Sequence, residues 1–306
     1  RRGTRLPDGV CASAGALREA ELFVPEAEAS AVVRRLRREA PPGESEEGLF
    51  VRLVLHFNSF AAGANGRDQA VFATLARANH SCLPNCIVDG DEGTLRAVRE
   101  VCAGDALTIS YLDDAALLLP RSRRRAELGS RWDFMCCCER CAAPVDDVRR
   151  FRGCALEGCD GDLLVEEVTG GAAPVAAPPP TLRCVRCGAA PGSVEARALL
   201  LGEAAAAAAL ERARGGDLEE EDEGQELMRC YKFSTQHPAH AVALELACEF
   251  EFPDPVPAKR AVLSGLQIVL GGAPCQLAVE AGRELAEKLA ARGEAAAAWA
   301  SIEVAA

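Results

Sequence analysis

The cysteines of this chain constrain its fold more than any other feature of the sequence. The chain has 15 cysteines in 306 residues, and most of them stand in groups with short spacings. Such spacings are typical of zinc ligands in a reducing compartment, whereas secreted chains use cysteines for disulfides. Because the start of the sequence shows no apolar signal segment, we expect zinc sites rather than disulfides. The grouped cysteines are Cys136, Cys137, Cys138, Cys141, Cys154, Cys159, Cys184 and Cys187.

The first group has the form Cys136-x-Cys138-x-x-Cys141. A tight turn of this kind supplies three thiolates, and a zinc ion takes four ligands in a tetrahedron. Because three cysteines stand in a row, Cys137 is an alternative ligand in this register.

The second group consists of two pairs, Cys154-x4-Cys159 and Cys184-x2-Cys187. Gly188 follows the second pair and permits the turn that directs two thiolates at one ion. The layout predicts a zinc ribbon with four thiolate ligands and no spare nucleophile. The remaining cysteines are expected as small buried residues, namely Cys11, Cys86, Cys102, Cys230, Cys248 and Cys275.

The charge balance excludes one class of partner. The sequence has 34 basic and 46 acidic residues, a net charge of -12. Non-specific nucleic-acid binding needs a basic face, so no direct nucleic-acid contact is expected. A basic protein tail is compatible with this charge. No apolar run of about 18 residues is present, so no membrane partner is expected either.

Periodicity and breakers predict helices and strands in the first half of the chain. One helix is expected to start at Pro25 and to run to Leu36, and a second covers Glu46 to Phe57. Strands are expected over Thr94–Val98 and, by alternation, over Leu107–Tyr111. A basic helix over 121–130 leads to the first cysteine group, and its arginines 121, 123, 124 and 125 are expected on a solvated face, with a docking face for an acidic partner as the alternative.

The second half is predicted to be mainly helical after the zinc ribbon. A short strand is expected at Leu163–Val165 and a helix around Ala204–Ala209. Asp217–Glu223 is an acidic run expected as a solvated loop. Helical patterns separated by breakers continue from Ala239 onward. These elements together predict an α+β fold.

The stretch Asn-His-Ser-Cys-Leu-Pro-Asn-Cys over 79–86 resembles the second half of a SET domain, the lysine-methyltransferase fold. Together with Phe57-Asn58-Ser59-Phe60, the strand ending at Tyr111 and the cysteine turn, it is most similar to the SMYD family. The resemblance covers roughly the first half of the chain. It implies a partial SET-domain β-fold with a post-SET zinc site, followed by the zinc ribbon and a tetratricopeptide-like helical region.

The resemblance also implies the roles of individual residues. Tyr111 matches the catalytic tyrosine, and Cys82 matches the fourth ligand of the first zinc site. The cofactor would be S-adenosyl-L-methionine, and the channel for the substrate lysine would be aromatic. An aromatic channel suits a methylated ammonium, and an apolar one favours the neutral amine. The implied cofactor contacts are Asn58, Asn79, His80 and Phe134, and the implied channel residues are Tyr111, Trp132 and Phe134. Trp132 stands where relatives usually carry tyrosine.

Two family features have no match before Asn58. Residues 1–50 hold no Gly-x-Gly loop, and no run of cysteine and histidine corresponds to a MYND finger. We therefore expect this chain to be the C-terminal part of a SET enzyme. The alternative is a catalytically inactive zinc-binding module for protein interaction.

The expected organisation follows from these motifs. It comprises a partly helical SET insert over 1–56, a C-terminal SET core over 57–118, a post-SET zinc region over 119–143, a zinc ribbon over 150–203 and a helical domain over 204–306. The expected activity is protein-lysine N-methylation, with a lysine-containing protein such as a histone as substrate. A monomer in the nucleus or cytoplasm is expected.

Overall fold

The computed structural model describes residues 22–26, 30–62, 68–89, 93–154, 156–166, 180–215, 237, 240–249, 255–270, 276–294 and 297–298. The chain forms two compact units. The first comprises residues 1–111 and 125–140, and the second comprises residues 112–124 and 141–306. Among the described residues, no helix is both long enough and apolar enough to cross a membrane.

The first unit combines helices with three two-stranded sheets. Strands β1 and β2 pair antiparallel, as do β4 and β5, whereas β3 and β6 pair in parallel. The elements are α1 (Ala31–Arg38), α2 (Glu46–Asn58), β1 (Ser59–Ala62), β2 (Asp68–Val71), a 3-10 turn (Leu75–Arg77), β3 (Asn79–His80), β4 (Cys86–Asp89), β5 (Thr94–Ala97) and β6 (Thr108–Ile109).

Side-chain caps decide where the first two helices begin. The Ser30 hydroxyl accepts a hydrogen bond from the backbone N–H of Val33, and α1 starts at Ala31. The prediction of a helix starting at Pro25 was therefore wrong, because Pro25 is not helical. Helix α2 begins after Ser45, which caps the N–H of Gly48, and its predicted position is confirmed to within one residue at the C-terminal end.

The short parallel pair β3–β6 brings two distant segments together. Asn79 lies opposite Thr108 and His80 opposite Ile109. The side chain of Asn85 supports this pairing, because its amide donates to the carbonyl of Ala106 (2.9 Å) and its oxygen accepts the N–H of Thr108 (2.8 Å). A ladder of two residues leaves neighbouring backbone groups without a strand partner, and the side chain of Asn85 supplies one for the carbonyl of Ala106 and one for the N–H of Thr108. Tyr111 follows β6 and is consequently held close to His80.

The second unit contains a three-stranded antiparallel sheet and a set of helices. Its strands are ordered β7-β8-β9, and Phe151, Leu163 and Leu182 are buried in its core. The elements are α3 (Asp114–Leu117), β7 (Val145–Phe151), β8 (Leu163–Glu166), β9 (Thr181–Cys184), α6 (Ser193–Gly215), α7 (Ala241–Glu249), α8 (Pro255–Leu270) and α9 (Gln276–Ala291). The first limit between the units lies between Tyr111 and Leu112, and the other two fall within α4 (Arg121–Trp132) and α5 (Glu139–Ala142).

The prediction that the C-terminal part is mainly helical is confirmed, and its first helix is longer than predicted. Helix α6 extends well beyond the predicted Ala204–Ala209, and it packs on α7 through Ala209, Leu210 and Leu246. The predicted acidic loop over 217–223 lies outside the described residues.

Two arginines of the basic helix α4 are buried rather than solvated. Arg121 is 1% exposed and Arg124 is 0% exposed. The backbone N–H of Arg121 donates to Asp146 at 2.8 Å, and the guanidinium of Arg124 donates to the carbonyl of Leu119. The prediction of a solvated face was wrong for these two residues, because their spacing of three places both on the same side of the helix. Arg123 is exposed, as expected.

A buried ion pair joins α6 to β7. The guanidinium of Arg149 donates to both carboxylate oxygens of Glu203, with Nε 2.8 Å from Oε1. His240 lies 3.2 Å from the same carboxylate. Burial alone would raise the pKa of Glu203, but the hydrogen bonds from Arg149 and His240 prevail and lower it to about 2. Glu203 is therefore ionised at neutral pH, and it holds the helix in register with the strand.

Helix α6 offers a matched pair of leucines for testing its packing. Leu210 is 2% exposed, whereas Leu201 in the same helix is 60% exposed. We expect Leu210→Ala to lower the free energy of unfolding by about 2–5 kcal/mol through the cavity that it leaves. Leu201→Ala should change it by less than about 0.5 kcal/mol. Urea titration of both variants checks this, and equal losses would contradict the position of α6.

Candidate active site and metal centres

The first cysteine group and Cys82 come together at one point. The sulfur atoms of Cys82, Cys136, Cys138 and Cys141 all lie within 4.8 Å of one another. Cys82, Cys136 and Cys141 are buried, and Cys138 is partly exposed. Cys137, the alternative ligand, is exposed and lies outside this set. We name these four residues the first cluster.

Backbone groups and arginines order the first cluster. The N–H of Cys82 donates to the sulfur of Cys138 at 3.4 Å. Arg140 donates to the carbonyl of Cys82, and Arg125 donates to the carbonyl of Cys136. The guanidinium groups of Arg125 and Arg140 thus hydrogen-bond to the backbone of the segments that carry the sulfurs. These side-chain bonds fix the position of both segments.

The second cluster is built from Cys154, Cys159, Cys184 and Cys187, again with all four sulfurs within 4.8 Å of one another. The sulfurs of Cys159 and Cys184 are 3.8 Å apart, and those of Cys154 and Cys187 are 3.3 Å apart. Gly161 is required beside this cluster, because a Cβ there would lie 2.5 Å from the sulfur of Cys184.

The donor sets of both clusters fit zinc. Four thiolates at a Zn–S distance of about 2.3 Å stand roughly 3.8 Å apart in a tetrahedron. All eight residues are thiols without a disulfide bond, and 3.3 Å is far beyond a bonded S–S distance of about 2.05 Å. In the second cluster, the backbone N–H of Cys187 points at the sulfur of Cys184 and lowers its pKa to about 7. The N–H of Leu156 lowers the pKa of Cys154, but burial and the neighbouring thiols prevail and raise it to about 12, so it is the spacing of the four sulfurs that fits zinc.

A cavity of about 750 Å³ opens beside the first cluster. Its wall combines aromatic rings, amide side chains and the cysteine turn. Among the residues that line it are all six side chains for which the sequence predicted a role in cofactor or lysine binding. These are Asn58, Asn79, His80, Tyr111, Trp132 and Phe134.

Four rings form one side of the cavity. The ring of Tyr111 lies 5.5 Å from that of Trp132 and 6.2 Å from that of Phe134, the latter edge-on at 88°. The imidazole of His80 lies 5.4 Å from Tyr111 and 6.0 Å from Phe134. Contacts at these distances and angles are favourable for aromatic pairs, and each ring limits the rotation of its neighbours.

The hydroxyl of Tyr111 is directed by a single carbonyl. It donates to the backbone oxygen of Ala78 at 2.9 Å. Burial raises the pKa of this phenol, so it is protonated at neutral pH. The oxygen of Tyr111 can still accept a hydrogen bond from a polar group in the cavity.

The polar residues of the cavity are positioned by their own backbone contacts. Asn58 is 3% exposed, and its amide nitrogen donates to the carbonyls of Phe23 (2.7 Å) and Val54 (3.0 Å). Both amide hydrogens are thereby used, which leaves the oxygen of Asn58 as the group that can accept. Asn79 is exposed, and its side chain is accessible at the cavity.

Sequence reasoning missed several cavity residues, among them Phe23, Arg77 and Met135. Phe23 and Met135 line the cavity and are 65% and 72% exposed, and Arg77 also lines it. Met135 and Arg77 stand next to recognised motifs, so proximity along the chain could have indicated them. No sequence signal marks Phe23, because it is brought in by the hydrogen bond from Asn58, which is 35 residues away along the chain.

Comparisons with known proteins identify similar lysine methyltransferases. No family model matches the chain. The histone-lysine N-methyltransferase SMYD3 of Mus musculus is 39% identical over 119 residues, which is 37% of this chain and 26% of the relative. The N-lysine methyltransferase SMYD2-A of Xenopus laevis is 40% identical over 80 residues, covering 26% of this chain and 18% of the relative. The histone-lysine N-methyltransferase SET5 of Meyerozyma guilliermondii is 39% identical over 83 residues, covering 25% and 17%.

Over these segments the chain is similar to SMYD-like SET-domain proteins. It spans about a quarter of the length of the SMYD3 sequences that it matches. The relatives named here are lysine methyltransferases.

Metal content tests the two clusters separately. We expect two zinc ions per chain, and one after either Cys138→Ser or Cys187→Ser, because a structural zinc site needs all four ligands. Cys137→Ser is the matched control and should keep two, since Cys137 belongs to neither cluster. Elemental analysis of the purified variants gives the count. A loss of zinc in Cys137→Ser would show that the register is wrong.

Proposed function

We propose that this SMYD-like chain is an S-adenosyl-L-methionine-dependent protein-lysine N-methyltransferase. The observation that supports this most is the gathering of Asn58, His80, Tyr111 and Phe134 around one cavity beside the first cluster. These residues come from separate segments of the chain, and each matches a position for which the family resemblance implies a role.

The cavity residues fit the proposed cofactor. When bound, S-adenosyl-L-methionine supplies a methyl group on a positively charged sulfur. The oxygen of Asn58 and the exposed amide of Asn79 would hold its polar parts, and Phe134 offers an aromatic face for a base. An aromatic face also attracts a sulfonium or a methylated ammonium.

Tyr111, Trp132 and Phe134 would receive the substrate lysine. Lysine has a pKa near 10.4 in water, and an apolar channel disfavours its charged form. The ring contacts exclude water from this wall. Tyr111 stays protonated, and its hydroxyl already donates to the carbonyl of Ala78. Its oxygen would therefore accept a hydrogen bond from the neutral amine of lysine. This bond would direct the lone pair of the amine at the methyl group of the cofactor. Alignment of this kind contributes roughly 7–11 kcal/mol to lowering a barrier.

The first cluster would bind a structural zinc ion that holds the aromatic wall in place. Phe134 stands two residues before Cys136, and His80 stands two residues before Cys82. Fixing both cysteines on one ion therefore fixes both rings. Structural zinc binding is worth on the order of 10 kcal/mol, which is enough to order loops that have few apolar contacts of their own.

The substrate would be a protein segment that carries lysine. The chain is acidic overall, and Phe23 and Met135 present apolar surface at the cavity. A basic segment with an apolar residue near its lysine fits this combination, and histone tails are one such class.

Substitution of the tyrosine tests the assignment. We expect Tyr111→Phe to reduce kcat for methyl transfer to histone or other protein lysines about 100-fold, because one polar group that orients the reacting amine is lost. The affinity for S-adenosylhomocysteine should change less than about twofold, since the ring is kept. Transfer of labelled methyl and calorimetry give the two values.

The same experiments separate the two candidate functions. If Tyr111→Phe has the activity of the wild type, Tyr111 is not catalytic. If the wild-type protein binds no S-adenosylhomocysteine and transfers no methyl group while it retains two zinc ions, the chain is a zinc-stabilised interaction module. The missing match to a Gly-x-Gly loop in residues 1–50 is the sequence feature behind this alternative.

A further inference from the structure

The imidazole of His80 stands between the first cluster and the aromatic wall, with one ring nitrogen on each side. Its Nδ1 lies 3.0 Å from the backbone nitrogen of Tyr111. Its Nε2 lies 3.2 Å from the sulfur of Cys82. The ring is also in contact with the rings of Tyr111 and Phe134, which restricts its rotation.

The first of these contacts fixes the tautomer. A backbone N–H can only donate, so Nδ1 of His80 accepts from Tyr111. In a neutral imidazole with Nδ1 as acceptor, the proton sits on Nε2. Nε2–H therefore donates to the sulfur of Cys82, and a metal-bound thiolate is a good acceptor for such a donor.

The backbone around His80 supports this bridge. His80 pairs with Ile109 in the parallel β3–β6 ladder, and the N–H of Ser81 donates to the carbonyl of Ile109 at 2.9 Å. Cys82 is 0% exposed, so its sulfur is shielded from water that would compete for the bond. The bond from Nε2 thus lies in an environment where it is strengthened.

We propose that His80 is a positioning residue that couples metal binding at the first cluster to the placement of Tyr111. The metal-bound sulfur of Cys82 orients the imidazole, and the imidazole in turn holds the backbone N–H of Tyr111. The functional meaning of this coupling rests on the proposed role of Tyr111 in methyl transfer. The coupling itself needs only the metal and two hydrogen bonds.

Two substitutions separate the two bonds. In His80→Asn, the side-chain oxygen reaches the position of Nδ1, which keeps the acceptor for Tyr111 and removes the donor to Cys82. In His80→Gln, the amide nitrogen reaches the position of Nε2, which keeps the donor to Cys82 and removes the acceptor for Tyr111. The two variants are thus matched controls for each other.

Zinc release gives the first measurement. We expect His80→Asn to accelerate the release of one of the two zinc equivalents to a chelator by about 10–100-fold, the usual effect of losing a hydrogen-bond partner of a metal ligand. His80→Gln should stay within about threefold of the wild type. The second zinc equivalent serves as the internal reference, because His80 does not contact the second cluster.

Amide hydrogen exchange at Tyr111 gives the second measurement. We expect His80→Gln to accelerate it and His80→Asn to leave it close to the wild type. In the wild type, loading the first cluster with zinc should slow exchange at Tyr111, and this slowing should be lost in His80→Asn. Equal effects of both variants on both measurements, or wild-type exchange at Tyr111 that is indifferent to zinc, would overturn the proposal.

Failure of this coupling can be told apart from failure of the proposed function. Neither zinc release nor amide exchange requires methyl transfer or a bound cofactor. A wild-type protein that has no methyltransferase activity can therefore still show the coupling, and an active enzyme can lack it. The wild-type zinc titration also decides the question if a His80 variant does not fold.

Discussion

The convergence of four sulfur atoms within 4.8 Å is the constraint on which the first unit depends. The segments that carry these sulfurs have little regular structure around them. Strands β3 and β6 have two residues each, and residues 133–135, before Cys136, belong to no helix or strand. Apolar burial alone gives such segments little stability, because few large side chains are available in them. Coordination of zinc by the four sulfurs would supply the stability that apolar packing does not give these segments. It would also fix the positions of the aromatic rings next to the cysteines.

The second unit is stabilised in a different way. Its sheet and helices bury leucines and alanines in continuous clusters, and Glu203 is held ionised between Arg149 and His240. The second cluster closes one end of that sheet next to Phe151 and Leu163. A metal there would add to a core that already exists. The two clusters have the same ligands, but only the first lies at the cavity that we propose for methyl transfer.

Sequence reasoning succeeded where the signal is local. Helix α2 and strand β8 follow from short periodic patterns, and the grouping of cysteines follows from their spacing. It failed where tertiary contacts decide. Arg121 and Arg124 share one side of the helix, but the burial of that side depends on acceptors outside the helix, at Asp146 and Leu119. Cys102 was expected to be buried and is exposed, in a turn where its N–H donates to the carboxylate of Asp105.

The site illustrates the same division. The family resemblance identified the six cavity residues, but it did not show how they are held. The clamp made by Asn85 and the bridge made by His80 both depend on a parallel pair of two-residue strands. Alternation predicted a strand over Leu107–Tyr111, which contains β6, but a period of two cannot be recognised over the two residues of β3, so the pairing itself has no signature in the sequence.

The distance along the chain between Cys82 and Cys136 has a consequence for how the protein matures. During synthesis, the segment with Asn79 and His80 emerges well before the residues that complete its metal site. Contacts between residues so far apart in sequence form late and are costly in chain entropy. The cavity would thus be among the last parts to become ordered, and its completion would depend on the supply of metal as well as on folding.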